Sequence, residues 1–125
     1  ITRFKAAELR VSIFVDPDPA AAEQARAVGA DRIEIYTGPY GGAFDDAVRK
    51  AEFKKVVTTG NAARDADIGL NAGHDLTLDN LPPLVGALPH LMEVSIGHCI
   101  IADALHFGMA EAVRQYRAAC GDPVG

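Results

Sequence analysis

Cysteine and large aromatic side chains are scarce in this sequence. It has no tryptophan, aromatic residues make up 6% of its 125 residues, and its two cysteines are Cys99 and Cys120. They do not form a Cys-x-x-Cys pair, so the spacing of a zinc site is absent. Two such cysteines are typical of a reduced, cytosolic protein, and we therefore expect a cytoplasmic location. The core must come from Ala, Val, Ile and Leu.

The sequence also lacks an excess of basic residues and any long apolar run. Its 12 Lys and Arg are outnumbered by 17 Asp and Glu, which gives a formal net charge of −5. Nucleic-acid-binding surfaces usually carry a basic stripe. A membrane-spanning helix needs about 20 consecutive apolar residues. We therefore expect neither nucleic acid nor membrane among the partners.

Four short apolar runs, each followed by a turn and a helical stretch, organise the chain. The runs lie at residues 11–15, 32–36, 67–73 and 92–96. Strands that alternate with helices predict parallel βα units, whose strands are apolar when both faces of the sheet are buried. Four such units fit either half of an eight-stranded (β/α) barrel or a small doubly wound sheet, and the pattern alone does not separate the two.

The predicted helices are bounded by caps and carry apolar stripes. Asp18 and Pro19 suit the start of a helix that ends at Gly29. A short helix is expected through Leu81, Leu84 and Leu88. We expect apolar stripes in two further helices. One helix starts near Phe44 and is weakened at Thr58-Thr59-Gly60; the other ends the chain, and its stripe is interpreted as core packing. These stripes are Ala47, Val48 and Ala51, and Met109, Val113, Tyr116 and Cys120.

Polar residues gather at the carboxyl ends of the predicted strands, where both architectures bind ligands. They are Asp16, Glu34, Thr37, His74, Asp75 and His98. A histidine there suits proton transfer, because its unperturbed pKa is about 6.5. His74 is therefore either catalytic or hydrogen-bonded to a loop carbonyl. Glu34 either stabilises positive charge or pairs with Arg32 or a lysine at a polar rim.

The Gly97-His98 step predicts a phosphate site, because free backbone N–H groups there can bind phosphate oxygens. Other residues have simpler interpretations. Asp16 is interpreted as part of a turn, and His90 and His106 as structural or exposed. Cys99 is interpreted as buried packing, since neighbours on an extended segment point in opposite directions.

Four segments together resemble the pyridoxine 5′-phosphate synthase family. They are VSIFVD (11–16), IEIYTG (33–38), LNAGHDL (70–76) and VSIGHCII (94–101). Their order and spacing are similar to those of the family's last four strands. The resemblance implies that residues 1–125 form a single partial domain, the C-terminal half of a TIM (β/α)8 barrel, with strands five to eight.

The resemblance also implies an activity. The family joins 1-deoxy-D-xylulose 5-phosphate to 3-amino-2-oxopropyl phosphate and releases pyridoxine 5′-phosphate, phosphate and water. It implies no redox cofactor and no metal, and a homo-oligomer when the protein is full-length. His74 resembles the family's proton donor and Glu34 its transition-state stabiliser. Asp75, Gly97 and His98 resemble positions that hold substrate or product, largely at the phosphate.

Two departures from the family pattern lead to further expectations. Position 75 is often Gly in the family, and we expect the Asp75 side chain to turn away from phosphate. The larger departure is the missing front half, which in the family carries a further His and Glu pair of general bases and most of the phosphate-binding Arg residues, and this predicts that the chain is inactive alone. The start at Ile1 without Met, in what resembles the tail of a helix, likewise suggests a fragment or a trimmed chain. An open half-barrel would aggregate, or would pair with another copy or with its other half. The alternatives are another phosphate-handling TIM-barrel enzyme and a non-enzymatic phosphate-binding α/β module.

Overall fold

Four parallel strands form one sheet in the computed structural model, which describes residues 1–122. The strands are β1 (Ser12–Val15), β2 (Arg32–Tyr36), β3 (Gly69–Gly73) and β4 (Leu91–Ser95). Each pairs in parallel with the next one in the chain, so the order across the sheet is β1-β2-β3-β4. A doubly wound sheet reverses its strand order at a switch point, whereas a barrel does not. The α/β fold is consistent with half of a TIM barrel, and the numbering of its strands as five to eight stays a prediction.

Seven helices connect or flank the strands within residues 1–122. They are α1 (Thr2–Ala6), α2 (Ala20–Ala27), α3 (Gly38–Gly41), α4 (Asp46–Asp65), α5 (Leu81–Ala87), α6 (His98–Phe107) and α7 (Met109–Ala119). None of these helices has both the length and the apolar character that crossing a bilayer requires.

The predicted helices α2 and α5 are present, and α2 begins at Ala20, one residue later than predicted, because Pro19 is its N-cap. The Asp18 carboxylate accepts a hydrogen bond from the N–H of Ala20 at 2.9 Å, as a capping side chain does. Gly29 follows the helix with φ +85°, a conformation in which glycine costs little. Three leucines of the α5 segment are fully buried, namely Leu81, Leu84 and Leu88.

The apolar stripe at the start of α4 does not face the core. The stripe of Ala47, Val48 and Ala51 is exposed, and burial begins further along the helix. The residues that α4 does bury are Val56, Thr59, Gly60 and Ala63. The helix also continues through Thr58-Thr59-Gly60. Residue 60 is a glycine at a close contact, because a Cβ there would lie 2.6 Å from a methyl group of Leu88. Close packing against α5 therefore explains a glycine that the sequence alone suggested as a weak point.

The last stripe is only partly a core stripe. Met109 and Val113 are exposed, whereas α7 buries Ala112 and Tyr116. The Tyr116 hydroxyl donates to the Asp103 carboxylate of α6 at 2.8 Å. Burial, followed by this bond, raises the pKa of Tyr116 above its usual range. The phenol therefore stays neutral and ties α6 to α7.

The two faces of the sheet differ in composition. The outer face lies under helices and buries Ile33, Ile35, Leu70 and Ala72. The opposite, inner face carries polar and aromatic residues instead. They include Phe14, Arg32, Glu34, Tyr36, Asn71, Glu93 and Ser95. The expectation that the strands are apolar on both faces is therefore wrong, because helices cover only the outer face of this sheet.

Candidate functional site

A cavity of about 440 Å³ opens at the carboxyl ends of β3 and β4. It is lined by residues 74–76, which follow β3, and by residues 95–99, which end β4 and begin α6. His74, Asp75, Gly97 and His98 therefore share one cavity, as the strand-end argument predicts. Parallel strands direct their carboxyl ends to one edge, and this is why residues distant in sequence meet there.

The loop after β3 has an unusual backbone. His74 has φ +85° and Asp75 has φ +55°, so two consecutive non-glycine residues adopt left-handed conformations. Such conformations are uncommon for side chains other than Gly, Asn and Asp, and they concentrate at functional sites. Asp tolerates this region better than most residues, which makes Asp75 compatible with a position that suits glycine.

Side chains from two loops hold this turn in place. The buried hydroxyl of Thr37 lies 2.5 Å from the carbonyl oxygen of Gly73 and 2.6 Å from that of His74. The Asn80 amide donates to the carbonyl oxygen of Asp75 at 3.0 Å, and the Tyr40 hydroxyl donates to that of Asn80 at 2.7 Å. The position of His74 is therefore set by contacts on both sides of the turn.

The imidazole of His74 packs with two aromatic rings of the inner face. Its centroid lies 5.3 Å from that of Phe14 and 5.2 Å from that of Tyr36, both in edge-to-face arrangements. The Phe14 and Tyr36 rings are 5.6 Å apart. Contacts of this geometry are favourable, and three mutually packed rings limit how the imidazole can turn.

Glu34 lies on the inner face, in register with Phe14 on β1 and Asn71 on β3. Gly73 makes room for its carboxylate, because a Cβ there would lie 2.5 Å from Oε1 of Glu34. Within residues 1–122 this carboxylate forms no salt bridge. The predicted alternative of an Arg32 partner is wrong.

Arg32 is engaged elsewhere on the inner face. Its guanidinium donates to Glu93 at 2.7 Å and to Asn71 at 3.2 Å, and its side chain is 12% exposed. This pairing lets Arg32 remain mostly buried and charged, and it leaves the Glu34 carboxylate facing the open side of the sheet.

Gly97 and His98 lie at the start of α6. Gly97 is its N-cap and His98 its first residue, and no described side chain caps this end. The first N–H groups of a helix have no partner within the helix, and together with the helix dipole they attract anions. This end of α6 lines the cavity and can therefore bind a phosphate there.

Cys99 belongs to the first turn of α6, so the argument from an extended segment is wrong. Its side chain packs against the core as expected, but it is half-buried and not buried. Burial raises the pKa of the Cys99 thiol, and the charges of Asp75 and Asp103 raise it further. A neutral thiol is a poor nucleophile.

The charge of Asp75 is therefore felt at the cavity wall. Asn80 occupies the backbone carbonyl oxygen of Asp75, and the charge of Asp75 contributes to the raised pKa of the Cys99 thiol. The expectation that the Asp75 side chain turns away from phosphate stays a prediction.

The remaining candidates lie apart from the cavity lining. Asp16 is exposed after β1, where its carbonyl oxygen accepts from the N–H of Asp18 in a tight turn. His90 is 2.8 Å from the carbonyl oxygen of Gly60, which is a structural contact, and His106 is exposed. Their interpretation as turn, structural and exposed residues is confirmed.

Sequence reasoning missed the supporting residues of the site. Thr37 was singled out as a strand-end residue, but its contacts with the next loop were not foreseen. Phe14, Tyr36 and Asn80 were not singled out at all. The signal that could have found the two aromatic residues is their alternation with apolar residues along β1 and β2, which places them on the inner face beside Glu34.

Parallel βα units with a cavity at the strand ends, lined in part by His74, Asp75 and His98, define a barrel-type α/β protein, of the class that binds its ligands at the carboxyl ends of its strands. A sequence model of the family described as pyridoxal phosphate biosynthesis protein PdxJ matches residues 1–122, and the chain belongs to this family.

Curated relatives support the same assignment. The pyridoxine 5′-phosphate synthase of Chelativorans sp. (strain BNC1) is 54% identical over 123 residues, which cover 96% of this chain and 50% of the relative. The synthase of Rhizobium meliloti (strain 1021) is 53% identical over 127 residues, covering 98% and 50%. That of Brucella anthropi is 52% identical over 120 residues, covering 95% and 49%. The chain spans about half the length of the curated relatives it matches.

Proposed function

We propose that this chain forms half of a pyridoxine 5′-phosphate synthase. The reaction joins 1-deoxy-D-xylulose 5-phosphate to 3-amino-2-oxopropyl phosphate and yields pyridoxine 5′-phosphate, phosphate and water. The observation that carries the proposal is the shared cavity, where His74 and the start of α6 meet at the strand ends. The names of the relatives give the product, pyridoxine 5′-phosphate, and the geometry supplies groups suited to forming it.

His74 is the proton donor in this proposal. The reaction eliminates water and phosphate, and a leaving oxygen departs more easily once it is protonated. An exposed imidazole at the cavity, fixed by Phe14 and Tyr36, can deliver a proton in a defined direction. Its backbone is fixed as well, so the ring does not need to be ordered when substrate binds.

Glu34 stabilises positive charge in this proposal. Condensing an amine with a carbonyl group passes through cationic, iminium-like species. A carboxylate without an ion pair among the described residues is free to balance such a charge, and a preorganised charge needs little rearrangement during the reaction. Glu34 reaches the space above Gly73, the residue before His74, so both groups act at the end of β3.

The start of α6 holds a phosphate group. Gly97 and His98 present the uncapped end of the helix to the cavity, and the His98 side chain adds a further donor. Asp75 opposes this role, because its carboxylate repels a phosphate in the same cavity. We infer that its backbone shape is what the site requires, and that its charge weakens phosphate binding.

The rest of the barrel comes from complementary βα units. β1 and β4 are the two edges of the described sheet, and the inner face between them is uncovered by helices. Closing the sheet would pair both edges and enclose Glu34 and His74. In this proposal the chain alone is inactive, the remaining proton-transfer groups come from the other half, and the whole protein is a homo-oligomer.

A chimaera tests this function. The part of the Chelativorans synthase that this chain does not match is fused to this chain, and formation of pyridoxine 5′-phosphate from the two substrates is followed. We expect the chimaera to be active, and His74→Gln to lower kcat by roughly 100-fold or more. His106→Gln, an equal change at an exposed histidine of α6, is the matched control and should leave kcat unchanged. An inactive, folded chimaera would contradict the proposal.

A further inference from the structure

Thr37 makes contacts that its position in the chain does not require. It follows β2 directly and is fully buried. Its hydroxyl lies within hydrogen-bonding distance of two consecutive carbonyl oxygens, those of Gly73 and His74. Its backbone N–H also donates to the carbonyl oxygen of Gly73, at 2.7 Å. One residue of the β2 loop thus holds the end of β3 through two donors, its N–H and its single hydroxyl proton, which reach two consecutive carbonyl oxygens.

The segment held in this way is the left-handed turn of His74 and Asp75. An unfavourable backbone conformation persists only when the surroundings over-determine it. Thr37 supplies that restraint from the amino side of the turn, and Asn80 supplies it from the other side through the carbonyl oxygen of Asp75. The direction in which the His74 side chain leaves the backbone depends on this turn.

The residue next to Thr37 acts on the same histidine. Tyr36 is the last residue of β2, and its ring packs edge-to-face with the His74 imidazole at 5.2 Å. The end of β2 therefore fixes His74 twice, by its backbone through Thr37 and by its ring through Tyr36.

A second buried threonine shows that this contact is specific. Thr59 in α4 is also fully buried, and its hydroxyl has no hydrogen-bond partner among residues 1–122. A threonine hydroxyl can therefore be buried in this fold without a hydrogen-bond partner. The two hydroxyls differ in what they contact, which provides a matched pair for mutation.

We propose that Thr37 is a positioning residue for His74, which places the imidazole between Phe14 and Tyr36 at the mouth of the cavity. The structural part of this inference concerns the chain itself. Its consequence for catalysis rests on the proposed function of His74 as a proton donor.

The structural part is tested by NMR on the chain, with nuclear Overhauser effects between the His74 ring and the Phe14 and Tyr36 rings as the readout. Thr37→Val keeps the side-chain shape and removes the hydroxyl, and we expect these effects to be lost. Thr37→Ser and Thr59→Val should retain them. Retention in Thr37→Val would overturn the proposal. Should Thr37→Val not fold, Thr37→Cys, with its weaker donor, takes its place, and a partial loss is expected.

The catalytic part is tested in the chimaera. A misplacement of about 1 Å can reduce a rate about 100-fold, so Thr37→Val should lower kcat by up to that factor while KM changes little. Thr37→Ser should restore kcat, and Thr59→Val should match the unmutated chimaera. An unchanged kcat in Thr37→Val would refute the positioning role. An inactive unmutated chimaera would refute the proposed function instead, and the NMR result would still decide whether Thr37 positions the ring.

Discussion

The two ends of the sheet are built differently. At the amino ends of the strands, charges are paired: Asp31 binds Lys5 and the N–H of Val11, and Arg26 pairs with Asp67 at 3.5 Å. At the carboxyl ends, two consecutive residues are left-handed, an uncapped helix faces a cavity, and the carboxylate of Asp75 lies near a proposed phosphate site. Left-handed residues also occur at the amino ends, at Glu8 and Asp67, so the carboxyl ends are distinguished by two consecutive left-handed residues beside a cavity with unpartnered groups.

This contrast is what a barrel enzyme requires. A binding site needs groups that await a ligand, and such groups are unfavourable until the ligand arrives. The amino ends of the strands bind no ligand in this account, so their charged side chains can form ion pairs and hydrogen bonds within the fold. Substitutions at the carboxyl ends should therefore change binding and catalysis, whereas those at the amino ends should change stability alone.

The largest expected effect is at His74. His74→Ala in the chimaera should lower kcat between about 100-fold and 10,000-fold, the range typical of a lost general acid. His74 is exposed but its ring packs against Phe14 and Tyr36, so the free energy of unfolding should fall by no more than about 1–3 kcal/mol, the sum expected for two lost aromatic contacts. Urea denaturation and steady-state kinetics on one preparation measure both quantities. A loss of stability large enough to explain the lost activity would break the contrast between the two ends.

The next effect concerns the two buried threonines. Thr37→Val should reduce the free energy of unfolding by about 1 kcal/mol, because the one hydroxyl proton available to the carbonyl oxygens of Gly73 and His74 is lost, while the N–H of residue 37 still donates to Gly73. Thr59→Val should be neutral or stabilising, since its hydroxyl has no described partner to lose. Urea denaturation of the chain compares the two. Equal destabilisation by both changes would show that buried volume, and not the Thr37 contact, is what matters.

A smaller effect is expected at Asp75. Asp75→Asn removes the charge and keeps a residue that tolerates the left-handed turn, so pyridoxine 5′-phosphate should bind about fivefold more tightly, the equivalent of about 1 kcal/mol of repulsion. Asp75→Gly should add up to about 1 kcal/mol of stability, because glycine adopts this φ without strain. Calorimetric titration and urea denaturation separate the two contributions. Weaker binding in Asp75→Asn would mean that the carboxylate helps to hold the ligand.

The smallest effect is at the amino ends and depends on pH. A hydrogen bond from Lys5, followed by one from the N–H of Val11, holds the pKa of Asp31 below its usual range. The folded-state pKa is the lower one, so the stabilisation is present above the unfolded-state value of about 3.9 and is lost as pH falls through the folded-state pKa. Unfolding measured from neutral pH down to pH values below that range should show this loss.

Asp31→Asn is the matched variant for the pH experiment. It should be less stable than the unmutated chain at neutral pH, and this difference should shrink as the medium becomes acidic. Added salt should reduce the difference as well, since the pair with Lys5 is exposed. Phosphate binding should not change. Altered binding in Asp31→Asn would show that the two ends are coupled.

Much of the fold could be predicted from local sequence pattern. The strand β2 was predicted to the residue, and the other three within two residues, because β-branched runs bounded by turns are local signals. The buried faces of α4 and α7 were not, since they depend on where the sheet lies beneath each helix. The role of Gly60 appears only once Leu88 is in place, 28 residues further along the chain.

The same limit applies to the site. His74, Glu34 and His98 could be found because strand-end chemistry is visible in sequence. The contact of Thr37 could not, because its partners Gly73 and His74 lie more than 30 residues away and are reached only when β2 and β3 pair. The left-handed turn was hidden too, since Asp75 lacks the glycine that would have signalled it.

The most direct test of a ligand site at the carboxyl ends is an NMR titration of the isotope-labelled chain with pyridoxine 5′-phosphate. The backbone amide signals report on every described part of the fold at once. We predict perturbations concentrated at residues 74–76 and 95–99, reduced in His98→Ala and unchanged in His106→Ala. The account would be contradicted by chemical-shift perturbations at the amino ends of the strands. It would also be contradicted if no signal shifted at any ligand concentration up to the solubility limit of pyridoxine 5′-phosphate.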